Sequence, residues 1–62
     1  MTPQNYPNWT RWLAQDADGT WWAYEHEPNE YHAGWYENEV GRYQKLMLTE
    51  KPEGCRKMLI KA

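Results

Sequence analysis

Residues 9–25, WTRWLAQDADGTWWAYE, decide the fold of this chain. At their centre, residues 16–19 read DADG, a cluster of turn-forming residues between two segments rich in aromatic and apolar side chains. We therefore predict a β-hairpin with strands over residues 9–15 and 20–26. Gly19 is predicted to take the left-handed position of a three-residue loop, where glycine carries no steric cost. The residues assigned to this structural turn are Asp16, Asp18 and Gly19.

A three-residue loop determines which side chains of the hairpin lie opposite each other. It sets Trp12 opposite Tyr24, with Trp22 on the same face. It also sets Arg11 opposite Glu25, and we predict a cross-strand ion pair between them. The other face carries Trp9, Leu13, Trp21 and Ala23. Because both faces are aromatic, the rest of the chain must cover at least one of them.

Length and composition limit what the protein can be. Its 62 residues include five tryptophans, five tyrosines and a single cysteine. A domain of this size buries only about 60% of the surface that its unfolded chain exposes. Since one cysteine allows no internal disulfide, the aromatic side chains must supply much of the core. A large catalytic cleft does not fit, and we expect no enzyme activity, no catalytic residue, no cofactor and no metal site.

The sequence also bears on the cellular compartment. No apolar run is long enough for a transmembrane helix, and the first residues, MTPQN, lack the basic and apolar regions of a signal peptide. The lone cysteine suits a reducing compartment. We therefore expect a cytoplasmic protein.

Further short strands are predicted after the hairpin. Apolar residues between turn signals predict strands over residues 33–37 and 42–49, with a loop at 29–32 and turns at 38–41 and 51–54. The predicted fold class is mainly β (small α+β), an antiparallel sheet of three or four strands with a short C-terminal helix or additional strand.

The C-terminal segment, residues 55–62, allows two predictions. Its apolar side chains fall at helical spacing, which favours a helix, but the Pro-Glu-Gly turn before it equally suits a strand. The domain organisation is a single small domain over 1–62, with a lead-in over 1–8, the sheet over 9–50, and a turn with the C-terminal helix or strand over 51–62.

Charge is divided between two parts of the chain. Residues 1–40 contain seven acids against Arg11 alone, whereas residues 41–62 contain six bases against two acids. The two parts either fold against each other and compensate, which we favour, or form a bipolar surface with an acidic and a basic face for a partner.

The hairpin segment and the proline after it resemble a group of short tailed-phage and prophage proteins. The shared pattern is W-x-R-W-x-A-Q-D-x-D-G-x-W-x-x-Y/F-E-x-x-P, which runs here from Trp9 to Pro28. Members of the group end in a W-R-x-x-L segment, and Cys55 takes the place of its tryptophan here. The resemblance implies a phage origin and a compact, β-rich fold, and it carries no catalytic residues.

A phage origin favours a protein that binds and modulates a host protein, such as a defence or nucleic-acid-processing enzyme. Trp and Tyr suit such a surface because they give a large contact area at low entropy cost. The predicted partner-binding residues are Trp12, Trp22, Tyr24 and Trp35, with Glu27, Glu30 and Glu37 at the rim. The alternative is that Trp12, Trp22 and Tyr24 are core side chains. We expect no membrane partner, and a monomer or weak homodimer.

Two other binding functions fit parts of the sequence. Aromatic residues on a sheet can stack on single-stranded nucleic acid, although the net charge of −2 opposes this. The basic patch for that function consists of Arg42, Lys45, Arg56, Lys57 and Lys61. The spacing of Trp12 and Trp35 resembles that of a WW domain, which binds proline-rich peptides, but Asn38 stands where that family has a proline.

Overall fold

A computed structural model describes residues 2–62, with the backbone alone at Cys55. Met1, the first residue of the predicted lead-in, and the Cys55 side chain lie outside this described part. The described chain forms the strands β1 (Trp12–Gln15), β2 (Thr20–Tyr24), β3 (Asn29–Tyr31), β4 (Gly34–Tyr36), β5 (Tyr43–Leu48) and β6 (Met58–Lys61). A short 3₁₀ turn, Glu53–Cys55, precedes β6. The predicted mainly β class is confirmed.

The strands form two antiparallel sheets. Four of them make the central sheet in the order β5-β2-β1-β6, and β3 pairs with β4 in a separate hairpin. The chain therefore builds outward from the β1–β2 hairpin, adding β5 on one side and β6 on the other.

The central hairpin has the predicted register. Trp12 pairs with Tyr24, and the Asp16 amide donates a hydrogen bond to the Thr20 carbonyl (2.9 Å). Gly19 has a φ of 99°, in the left-handed region where a residue with a Cβ would be strained. The three-residue loop thus sets which side chains share a face.

One face of the central sheet, called the core face, holds the apolar core. Its buried residues are Leu13, Trp21 and Ala23, with Trp9, Leu46 and Ile60 packed against them. Thr49 completes the hydrogen bonding there, because its Oγ1 accepts from Gln15 Nε2 (3.0 Å) and Trp21 Nε1 (3.1 Å). Residues 2–5 of the N-terminal segment line a surface pocket together with Leu46 and Met47.

The opposite face, called the hairpin face, carries Trp12, Ala14, Trp22 and Tyr24. The β3–β4 hairpin lies against it, with β4 in contact with β1. Tyr24 is only 3% exposed and Ala14 is fully buried. The chain therefore covers both aromatic faces of the central hairpin.

A β-bulge shifts the pairing of β5 with β2 by one residue. Trp21 pairs with Met47 and Trp22 with Lys45, which leaves Leu46 as the extra residue. Leu46 packs on the core face, whereas Lys45 shares the hairpin face with Trp22.

The C-terminal segment is a strand. β6 pairs antiparallel with β1, so the strand alternative for residues 55–62 is confirmed and the favoured helix is wrong. A helix would leave the outer edge of β1 without backbone hydrogen bonds, and backbone groups in a compact fold need partners. The central sheet therefore extends beyond residue 50, where the sequence analysis ended it.

The predicted loop at residues 29–32 is also wrong, because Asn29–Tyr31 forms β3. The predicted strands over 33–37 and 42–49 are present within narrower bounds, as β4 and β5. Only His32 and Ala33 separate β3 from β4, and this turn lacks the Asn-Gly or Asp-Gly pair that usually marks a two-residue loop.

Candidate functional site

The four aromatic residues predicted for partner binding lie on the hairpin face or in the hairpin that covers it. Tyr24 is buried, and Trp12, Trp22 and Trp35 are half-buried. The rings of Trp22, Tyr24 and Tyr43 form a cluster with centroids 6.2 to 6.5 Å apart. Burial raises the pKa of the Tyr24 hydroxyl well above its ordinary value, so this hydroxyl is neutral in the folded protein. The burial of Tyr24 and the partial burial of Trp12 and Trp22 support the alternative that these three residues are core side chains.

Asp16 anchors the β3–β4 hairpin to the turn of the central hairpin. Its Oδ1 accepts a hydrogen bond from the Trp35 amide (3.0 Å), and the Ala17 amide donates to the Ala33 carbonyl (3.0 Å). Gly34 comes so close that a Cβ on it would overlap the Asp16 carboxylate. Burial raises the pKa of Asp16, and the hydrogen bond from the Trp35 amide partly opposes the rise. This turn residue therefore also positions a second hairpin.

Lys57, just before β6, is the second anchor. Its Nζ lies 2.8 Å from Glu30 Oε2, donates to the Tyr31 carbonyl oxygen, and sits 5.5 Å from the centroid of the Trp35 ring. Glu30 and Trp35, both predicted as partner-binding residues, are thus brought together around a lysine of the C-terminal segment.

The exposed aromatic side chains of the β3–β4 hairpin are tyrosines, which are not among the predicted partner-binding residues. Tyr31 and Tyr36 are 43% and 49% exposed, with ring centroids 6.1 Å apart. Residues 27–39, called the tyrosine hairpin below, contain four glutamates and neither lysine nor arginine. The predicted rim residues Glu27, Glu30 and Glu37 are exposed there. Sequence alone does not separate these tyrosines from buried ones, because tyrosine is common both inside proteins and on their surfaces.

Glu25 pairs with Arg42, so the predicted ion pair between Arg11 and Glu25 is wrong. Arg42 Nη2 lies 3.0 Å from Glu25 Oε2, and the Arg42 amide donates to Glu25 Oε1 (2.9 Å). The hydrogen bonds from the Arg42 side chain and amide lower the pKa of Glu25 to about 2. Packing of β5 beside β2 brings Arg42 to this position, whereas the backbone of Arg11 bonds to Tyr24 and Ala62.

The bases predicted as a nucleic-acid patch are dispersed. Arg42 and Lys57 are each paired with a glutamate of the acidic part, which supports the interpretation that the two parts of the chain fold against each other. Lys45 and Lys61 lie in β5 and β6, the two outer strands of the sheet, and Arg56 is exposed after the 3₁₀ turn.

Trp12 and Trp35, whose spacing resembles that of a WW domain, lie in separate sheets. Trp12 belongs to β1 of the central sheet, whereas Trp35 belongs to β4 and carries the Lys57 ammonium over its ring. The two tryptophans therefore do not form one sheet face on which a proline-rich peptide would lie.

Comparison of the chain with models of known protein families, with curated proteins and with solved structures finds no match. Among the described residues, no helix has the length and apolar character needed to span a membrane. The described acidic, histidine and cysteine residues form no group of three placed to hold a metal ion. Asp18 is engaged within its own turn, where Oδ1 accepts a hydrogen bond from the Thr20 amide (2.9 Å).

Proposed function

We propose that the protein is a non-enzymatic module that binds a host protein, and modulates it, through the tyrosine hairpin. The observation that carries this proposal is the pair of exposed rings, Tyr31 and Tyr36, set among exposed carboxylates on a hairpin with two anchors. Tyrosine provides rigid, amphipathic contact area with little side-chain entropy to lose on binding. The resemblance to short phage and prophage proteins supports a bacterial protein as the partner and the bacterial cytoplasm as the compartment.

The charge of the tyrosine hairpin indicates the chemistry of the partner. Among the described residues, Glu30 is paired with Lys57, and neither Glu27 nor Glu37 takes part in an ion pair. Exposed carboxylates without local counterions attract a basic surface and steer its approach. A nucleic-acid-binding surface of a host enzyme has that character, so its occlusion is the modulation we propose.

Affinity capture from a bacterial lysate tests the proposed surface. The immobilised protein is compared with two double variants, Tyr31→Ala/Tyr36→Ala and Glu27→Lys/Glu37→Lys. Tyr31→Ala/Tyr36→Ala is expected to retain less than about a tenth of the captured partner, since an aromatic hot spot contributes about 2 kcal/mol or more, and the charge variant is expected to reduce capture as well. The charge variant should act mainly by slowing association.

The matched control is Glu50→Lys/Glu53→Lys, which makes the same charge change at exposed positions outside the tyrosine hairpin. It is expected to capture the partner normally. Circular dichroism of every variant verifies that the sheet is intact. Undiminished capture by both hairpin variants would remove the tyrosine hairpin as the binding surface.

A second candidate function, binding of single-stranded nucleic acid, is favoured by one feature of β5. Tyr43 is 49% exposed and stacks on Tyr24 with a centroid distance of 6.3 Å, and Lys45 lies across from Trp22 on the same face. An exposed ring beside a lysine is the basic unit of a stacking platform.

Fluorescence titration with a labelled oligothymidylate tests this candidate. Binding is expected at about 50 mM salt and should fall steeply by about 200 mM, because phosphate contacts release counterions. Tyr43→Ala and Lys45→Ala should each weaken it. Absence of binding at the lower salt concentration would end this candidate.

A further inference from the structure

The surroundings of the Lys57 ammonium form a compact site, called the lysine seat below. It consists of the Glu30 carboxylate, the Tyr31 carbonyl oxygen and the face of the Trp35 ring. A primary ammonium carries three N–H donors and no acceptor. The seat offers two oxygen acceptors and the negative face of an aromatic ring, which is a complementary set for that group.

The two partners of the ion pair differ in their exposure. The Lys57 side chain is 19% exposed, whereas the Glu30 side chain is 62% exposed. The Lys57 side chain is therefore largely covered, while the Glu30 carboxylate stays open to solvent. A second ammonium can approach Glu30 from outside without first opening the central sheet.

The ion pair between Arg42 and Glu25 provides a contrast. There the arginine is the open partner, since its side chain is 62% exposed against 25% for the glutamate. In that pair the base is more accessible than the acid. Of the two ion pairs in the described residues, the one at the lysine seat presents an accessible carboxylate.

We propose that the lysine seat is a binding site for a primary ammonium, filled by Lys57 in the free protein and able to accept a lysine side chain of the partner in its place. Lys57 is then an internal competitor, because the apparent affinity for the partner's lysine is the intrinsic affinity multiplied by the fraction of time that the seat is empty. The existence of the site stands on its geometry alone, whereas its role toward a partner rests on the proposed function.

Titration of a variant with an emptied seat tests the site without any partner. Lys57→Ala removes the resident ammonium, and n-butylammonium chloride supplies the same group in solution. We expect saturable amide shifts in NMR spectra at residues 30–35, with a dissociation constant on the order of 10 mM for one carboxylate and one ring. Adding Glu30→Gln should weaken binding about tenfold, because the charge-assisted bond is lost.

Three controls isolate the ammonium. Sodium chloride matches the ionic strength, n-butanol matches the alkyl chain without the charge, and Lys57→Met fills the seat with an apolar side chain of similar length. None should reproduce the saturable shifts. Equal responses to n-butylammonium and sodium chloride in Lys57→Ala, or an equal response in Lys57→Met, would overturn the proposal.

If Lys57→Ala does not fold alone, the titration becomes a refolding experiment followed by circular dichroism. Recovery of the sheet with n-butylammonium chloride but not with sodium chloride supports the seat, and equal recovery, or none, overturns it. For the partner, Lys57→Ala should capture several-fold more than Lys57→Met, which loses the same anchor but keeps the seat filled, and equal or lower capture by Lys57→Ala would reject Lys57 as a competitor. Failure of the proposed function would appear separately, as full capture by both the Tyr31→Ala/Tyr36→Ala and the Glu27→Lys/Glu37→Lys variants.

Discussion

The two faces of the central sheet are covered by different chemistry. On the core face, apolar side chains close around Trp21, and Thr49 satisfies the polar atoms buried with it. On the hairpin face, the aromatic side chains are covered by a second hairpin, whose polar anchors are the Asp16 carboxylate and the Lys57 ammonium.

This difference places most of the stability of so small a protein on one face and its proposed binding surface on the other. Apolar burial is non-directional and provides most of the stability, whereas a two-stranded hairpin is only marginally stable by itself. The tyrosine hairpin therefore depends on its two anchors for its position. Removal of an anchor side chain should lower the free energy of unfolding less than a cavity on the core face does. The proposed binding surface lies on the element with the weaker attachment, where binding elements are commonly found.

Replacement of one tryptophan on each face should give the largest difference in stability between the two faces. Trp21→Ala is expected to lower the free energy of unfolding by about 3–5 kcal/mol, because it opens a cavity in the core face. Trp22→Ala, at a half-buried position of the hairpin face, should cost less than half as much. Urea denaturation followed by circular dichroism measures both values. Equal losses would show that the two faces contribute alike.

Removal of the Thr49 hydroxyl should isolate the polar component of the core face. Thr49→Val leaves the Trp21 indole N–H and the Gln15 amide without their shared acceptor, at a cost of about 1–3 kcal/mol. Thr49→Ser keeps the hydroxyl and is expected to lose less than half of that. Urea denaturation measures both losses of stability. A Thr49→Val protein as stable as the wild type would contradict the predicted role of the hydroxyl.

Two substitutions at Asp16 should separate its hydrogen bond from its charge. Asp16→Ala removes the acceptor of the Trp35 amide and should cost about 1–2 kcal/mol, with faster hydrogen exchange at Trp35. Asp16→Asn keeps an acceptor oxygen and should be at least as stable as the wild type at neutral pH. In the wild type, burial raises the pKa of Asp16 in the folded state. The charged carboxylate present at neutral pH therefore opposes folding, and the uncharged amide of Asp16→Asn does not.

The pH dependence of the Asp16 variants provides a second measurement. Because the folded state holds this proton more tightly than the unfolded state, protonation of Asp16 adds stability to the wild type as the pH falls through its raised pKa. Asp16→Asn lacks that gain. Urea denaturation at neutral and acidic pH compares the two, and a stability advantage of Asp16→Asn that grows on acidification would contradict the assignment.

The smallest effect is expected at the exposed pair of Glu25 and Arg42. The pKa of Glu25 is lowered from 4.5 to about 2, so the pair stabilises the fold above pH 4.5 and the contribution is lost as the pH falls toward 2. Glu25→Gln should remove this part of the acid dependence, and added salt should reduce it in the wild type. Thermal melts between neutral pH and pH 2 measure it. If the melting temperatures of Glu25→Gln and the wild type fell identically with pH, the ion pair would make no contribution to stability.

The comparison of the two faces also shows which parts of the site were predictable. The register of Trp12 with Tyr24 followed from the loop length, and the register in turn predicted which side chains share a face. The exposure of Tyr31 and Tyr36 did not, because their hairpin has no turn signal at His32 and Ala33. The prediction of a helix over 55–62 is wrong because the backbone groups on the outer edge of β1 need hydrogen-bond partners. This requirement outweighs the helical spacing of a few apolar residues.

The sequence by itself determined the central hairpin, the register of its strands and the need to cover its aromatic faces. These features are local, since turn chemistry within four residues and side-chain alternation specify them. Only the tertiary structure decided that Glu25 binds Arg42, that Asp16 holds Trp35, and that Lys57 occupies the seat on the tyrosine hairpin. Such contacts join residues far apart in the chain, and each charged group has several partners of nearly equal energy until packing selects one.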